Sequence, residues 1–210
     1  LLETKVQKLE QENEEFREVI GELDSLSDYE PKPATVIGRN PDQWVEQITV
    51  NKGKQNGVEK DMAVITSGGL IGKIKQANAF TSTVQLLSSL DPKNRISAYI
   101  QGEEDIFGLI EGYDEEKGAL LLKRIPHQAE VKEGETVLSS GLGGVFPEGL
   151  MIGEVTEVVA DEYGLTQMAY VKPAADFYDI NQVMIVKRTL ISGDEPVESE
   201  EEASEEGGSE

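Results

Sequence analysis

Two serines stand beside glycine-rich corners: Ser67 in TSGG (Thr66–Gly69) and Ser140 in SSG (Ser139–Gly141). A seryl hydroxyl becomes a useful nucleophile only with a base in hydrogen-bond reach. The single histidine, His127, stands 13 residues before Ser140 and directly after Pro126, a context that reads as a surface loop. The acidic clusters Glu103-Glu104-Asp105 and Asp114-Glu115-Glu116 read as solvated loops and lack the alternating ligand spacing of a calcium site. The chain contains no Cys, which removes thiolate metal sites and a disulfide framework. The loop GLGGVFPEG (Gly141–Gly149) lacks the G-x-G-x-x-G spacing, and no helical pattern follows it to aim an N-terminus at a phosphate. These residue types and spacings predict no catalytic, cofactor-binding or metal site.

The corners themselves are repeated. VEKDMAVITSG (Val58–Gly68) lies over VKEGETVLSSG (Val131–Gly141) at an offset of 73, and LIGKI (Leu70–Ile74) lies over MIGEV (Met151–Val155) at an offset of 81. The second copy thus carries eight extra residues at its corner, a cheap extension in loop entropy. Gly68, Gly72, Gly141 and Gly153 are expected to serve turns, bulges and sharp barrel bends. From Ala34 onward, twelve short runs rich in Val, Ile and Thr recur between turn signals such as Asn56-Gly57 and Asp91-Pro92. No amphipathic helix lies among them, so the sheets should be antiparallel and close as small barrels or sandwiches. The expected division is a first β module over 34–105 and a second over 106–189, related by duplication and able to exchange a strand.

The first residues follow another period. Leu2, Leu9, Phe16 and Leu23 recur every seven residues, with Val6, Asn13 and Ile20 between them. That alternation predicts a coiled coil over 1–27. Asn13 at a seam position favours a parallel two-stranded register, and Lys5 with Glu10 and Glu12 with Arg17 would attract across it. A helix this short needs a partner, so a homodimer is expected in preference to a helix folded on its own domain. A Pro-containing linker over 28–33 then ends the helix.

The chain has 41 acidic and 19 basic residues and a net charge of −22. This argues against nucleic acid as a partner and against direct attraction to anionic lipid. Residues 191–210 hold nine acidic residues and no basic one, and 190–210 are read as an acidic, disordered tail with a solvated role. No apolar run approaches the length that spans a bilayer. The heptads begin at Leu2 and residue 1 is not Met, so residue 1 is expected to be a cut.

WVEQITVNKGKQNGVEKDMAVITSGGLIGKI (Trp44–Ile74), VQLLSSLDPKNRISAYI (Val84–Ile100) and GLGGVFPEGLMIGEV (Gly141–Val155), in this order behind a coiled coil, resemble the MreC family of rod shape-determining proteins over about residues 1–189. The resemblance implies a membrane-anchored, single-pass protein. Its missing N-terminal transmembrane helix would precede an extracytoplasmic coiled coil and two β-barrels, and the acidic tail fits the Gram-positive type. It implies a non-catalytic, self-associating scaffold of lateral cell-wall elongation. Its partners would be class B penicillin-binding proteins, MreD and the actin-like MreB system. Two other readings stay open. TSGG is similar to the nucleophile loop of chymotrypsin-like proteases, also double barrels, although those carry their His in the first barrel. A secretion-type adaptor would also join coiled coil and β domains, but would show a second helical arm.

Overall fold

The computed structural model describes residues 31–39, 47–89, 95–102, 104–143, 145–161 and 165–187. The coiled-coil residues Leu2 to Leu23, most of the linker and the acidic tail lie outside them. The described residues are mainly β, as the run pattern predicts, with one 3-10 turn at Lys54–Asn56. The strands are β1 (Lys32–Arg39), β2 (Gln47–Val50), β3 (Ala63–Thr66), β4 (Gly69–Ala77), β5 (Ser82–Leu86), β6 (Ile96–Ile100), β7 (Ile106–Asp114), β8 (Ala119–Pro126), β9 (Thr136–Ser140), β10 (Glu148–Ala160), β11 (Thr166–Pro173) and β12 (Gln182–Val186). β1 starts two residues inside the expected linker. Pro33 is accommodated near the strand's first residue, where a missing N–H costs least.

Strand pairing is antiparallel throughout and closes two six-stranded barrels. The first runs β1-β12-β3-β4-β5-β2 around its circumference. The second, read from β7, runs β7-β6-β9-β10-β11-β8. The two orders superpose strand for strand, and the registers agree. Val64 pairs with Gly72 as Val137 pairs with Gly153, and Gly72 pairs with Leu86 as Gly153 pairs with Pro173. Even the bulges coincide. The ladder of β1 with β2 slips between Val36 and Gly38, and that of β7 with β8 between Ile110 and Tyr113.

The equivalence has one twist. β1 to β5 match β7 to β11, but β6 of the first copy sits in the second barrel, and β12 of the second copy closes the first. The expected split at 105/106 therefore follows the sequence repeat and not the barrels, which exchange their final strands. Both exchanged strands bury the residues that pair with the valine of the corner strand, Ile185 against Val64 and Ile100 against Val137. A period-two strand specifies which face goes inward but not which barrel it enters.

The strands alternate because each barrel fills its interior with one face. Ile48, Ile74 and Val84 in the first, and Ile96, Ile100 and Leu120 in the second, are essentially excluded from solvent. Each such burial is worth about 1.5–3 kcal/mol. One apolar core is continuous through both barrels, joined by Ala175, Phe177 and Ile180 of the β11–β12 crossover. The ring of Phe177 meets Tyr113 edge-on at 6.3 Å.

Gly72 and Gly153 lie inside β4 and β10, not beside them. A Cβ on Gly72 would stand 2.0 Å from the Gln85 carbonyl oxygen, and one on Gly153 2.0 Å from that of Lys172. The two residues do the same job, letting the neighbouring strand cross at contact distance. Gly68 lets the first barrel's corner touch the crossover. A Cβ there would lie 2.9 Å from the Ala174 carbonyl oxygen. Gly141 turns the second corner in the left-handed region, at φ 69°.

Candidate interaction surface

Ser67 is exposed at the turn between β3 and β4. Ser140 ends β9, and its Oγ accepts the Leu142 N–H at 3.3 Å. Its neighbour Ser139 is fully buried. That hydroxyl donates to the Pro147 carbonyl and accepts the Leu150 N–H at 2.9 Å, pinning both ends of the extended corner loop. His127 is exposed just past β8, and its carbonyl accepts from Gln167 Nε2. Because β9 starts at the rim where β8 ends, His127 and Ser140 occupy opposite rims of the second barrel. A five-residue strand separates those rims by about 15 Å, far beyond hydrogen-bond reach. Glu104 and Asp105 precede β7 while Asp114 ends it, so the two acidic clusters are also at opposite ends. Among the described residues no group of three or more His, Asp or Glu side chains is placed to hold a metal ion.

The outer surface of the second barrel is more informative. Phe107, Tyr99, Leu138 and Met151 stand directly opposite one another across β7, β6, β9 and β10. They form an apolar row along the outside of four strands. The rings of Tyr99 and Phe107 are 6.0 Å apart, and Phe107 is 52% exposed. In the first barrel the counterparts of Tyr99, Leu138 and Met151, namely Met184, Ile65 and Leu70, are buried, while Pro33, opposite Met184 where Phe107 stands opposite Tyr99, is exposed. The sequence reading missed this difference, because both rows alternate alike. The signal it held was an aromatic pair, Tyr99 and Phe107, at positions where an exposed strand face is normally polar.

Beside this row the second barrel's rim opens into a groove of about 590 Å³ lined by Glu104, Asp105, Phe107, Ala129, Lys132 and Glu135, among others. Its carboxylates outnumber its one lysine. Beside it, desolvation first, then the charges of Asp105 in the groove and of Glu148 outside it, push the Tyr99 phenol above the usual tyrosine value. The surface is thus an aromatic strip edged by negative charge, a combination suited to holding another protein. Among the described residues no helix is long and apolar enough to cross a membrane.

Fold and surface together define a class: a double antiparallel barrel that exchanges its last strands and carries a part-exposed aromatic strip on its second barrel. The family model "Rod shape-determining protein MreC, barrel core" matches residues 36–187. The cell shape-determining protein MreC of Bacillus subtilis (strain 168) is 51% identical over 209 residues, 96% of this chain and 71% of that protein. The solved structure of MreC from Listeria monocytogenes has a TM-score of 0.76 at 46% identity, covering 90% of each chain. The chain belongs to the MreC family of cell shape-determining proteins. The fold recurs in a complex between a penicillin-binding protein (PBP2) and MreC from Helicobacter pylori, with a TM-score of 0.60 at 21% identity over 76% of this chain and 99% of that one.

Proposed function

We propose that this chain is a non-catalytic scaffold for the peptidoglycan elongation machinery that maintains rod shape. In this reading it sits on the extracytoplasmic side of the cell membrane, tethered by a single transmembrane helix and paired by the coiled coil of residues 1–27. Family membership supports the setting. The observation that carries the mechanism is the row Phe107–Tyr99–Leu138, with Phe107 exposed and Tyr99 and Leu138 part-exposed where their first-barrel counterparts Met184 and Ile65 are buried. We assign it as the face that receives a class B penicillin-binding protein, in line with the complex known for the Helicobacter pylori relative. A scaffold that holds two synthases on one dimer raises their effective concentration without chemistry of its own. MreD and the MreB system are the expected membrane and cytoplasmic partners. Removal of reactive groups, Ser67→Ala with Ser140→Ala, should leave function intact.

The test is binding of the extracytoplasmic part of the cell's class B penicillin-binding protein to the chain by surface plasmon resonance. Phe107→Glu and Tyr99→Glu should each weaken binding at least tenfold, on the order of 1.4 kcal/mol or more, as expected for a central aromatic anchor. Because Phe107 is largely exposed, far-UV circular dichroism and melting should not change. Unchanged affinity in both variants would refute the assignment of this face. Labelling of either serine by a serine-directed probe, abolished by its alanine variant, would refute the non-catalytic reading.

A further inference from the structure

The net charge of −22 hides a polarised molecule. In the first barrel the described carboxylates are Glu59 and Asp61. Against them stand Lys32, Lys52, Lys54, Lys60, Lys75 and Lys187, all near the rim formed by the start of β1, the β2–β3 loop, the end of β4 and the end of β12. The contacts tie these segments together. The Lys54 N–H donates to the Asn78 carbonyl at 2.8 Å, joining the β2–β3 loop to the β4–β5 turn. A Cβ on Gly57 would lie 3.5 Å from Lys32 Nζ. Both rim carboxylates are already taken: Lys187 reaches Glu59 at 3.1 Å and Lys73 reaches Asp61 at 3.2 Å. Lys52, Lys54, Lys60 and Lys75 have no carboxylate partner among the described residues. The equivalent rim of the second barrel is the acidic groove of Glu104, Asp105 and Glu135.

We propose that the lysine rim of the first barrel docks the chain's own acidic C-terminal segment, residues 188–210. β12 ends at Val186 and Lys187 stands on the rim, so the segment leaves the fold among the lysines. It carries nine carboxylates and no basic residue between 191 and 210, while the second barrel's matching rim repels it. Tethered at zero distance, it is present at an effective concentration in the millimolar range. Each exposed ion pair is weak and screened by salt, so docking is a shared electrostatic association of many pairs. A docked tail neutralises the rim and withholds it from other anionic partners.

The chain has no Cys, so Ser204→Cys accepts a single nitroxide label on the full chain. At low salt the amides of Lys54, Gly57 and Lys60 should lose most of their intensity in nitrogen-15 spectra. They should recover it in about 0.5 M NaCl, where the screening length is only a few ångströms. Lys54→Glu with Lys60→Glu and Lys75→Glu, three exposed side chains, should abolish the broadening while keeping amide dispersion. Changing Glu200, Glu201, Glu202, Glu205 and Glu206 to Gln should do the same without touching the barrel. Unbroadened rim amides at low salt would overturn the proposal, as would broadening centred on the second barrel or on residues 1–30. Mixing isotope-labelled chain with separately spin-labelled chain would overturn it if the rim broadened only there, because the occupant would then be a neighbour's tail.

Discussion

Substituting alanine at Gly72 or Gly153 probes the duplicated barrel directly. The added Cβ would stand 2.0 Å from a backbone carbonyl oxygen of the adjacent strand in each case. Ordinary carbon–oxygen contact needs more than 3 Å, so the strands must part by over an ångström. The obstacle is backbone, not a side chain that can swing away. Overpacking of this kind costs about 1–3 kcal/mol. Spreading the strands also weakens ladder hydrogen bonds at about 1 kcal/mol each. A loss of about 3–5 kcal/mol is expected from either substitution, a large share of the roughly 5–15 kcal/mol that stabilises a domain. The two should cost alike, since Gly72 and Gly153 hold equivalent register positions. Gly134→Ala is the control. It meets nothing within 4 Å and carries only the strain of its φ of 86°, about 1 kcal/mol. Urea unfolding followed by far-UV circular dichroism measures all three. Losses below 1 kcal/mol at Gly72 and Gly153, or no difference from Gly134, would refute the close-crossing argument.

Ser139→Ala removes a fully buried hydroxyl that bonds both Pro147 and Leu150. It should cost about 2–3 kcal/mol by thermal melting, whereas Ser140→Ala should cost well under half of that. A chain ending after Pro173 keeps β1 to β5 but loses β12, so amide exchange should show the first barrel open at every strand. The Tyr99 phenol is raised, so the folded state holds its proton longer than the unfolded state. Stability is therefore fully present below the ordinary tyrosine value and falls as pH rises above it. Tyr99→Phe should flatten that alkaline loss in a melting series while leaving neutral-pH stability within about 1 kcal/mol. For the coiled-coil proposal, sedimentation should show a dimer for the whole chain and a monomer for a chain beginning at Pro31, with Asn13→Leu shifting the oligomeric state.

The sequence by itself determined the strands. Each of its twelve apolar runs became one, because alternation with turn residues between leaves a chain few other ways to bury one face. It also determined the pairing of the two corners, since the repeated apolar–Ser-Gly–apolar phrase fixes which strands turn back on each other. It offered a single histidine as base for a serine nucleophile, and the fold places that His127 and Ser140 on opposite rims. Tertiary structure decided what local pattern leaves open. Alternation tells β6 and β12 which side to bury, not whose barrel to close, so the strand exchange is invisible in either copy. The apolar row at Tyr99, Leu138 and Met151 and its buried counterpart at Met184, Ile65 and Leu70 read alike in sequence. They differ only because the folded chain covers one and leaves the other open. The same holds for charge: lysines scattered from Lys32 to Lys187 average into an acidic chain, and only barrel closure, which brings distant strand ends to one rim, gathers them into a positive face.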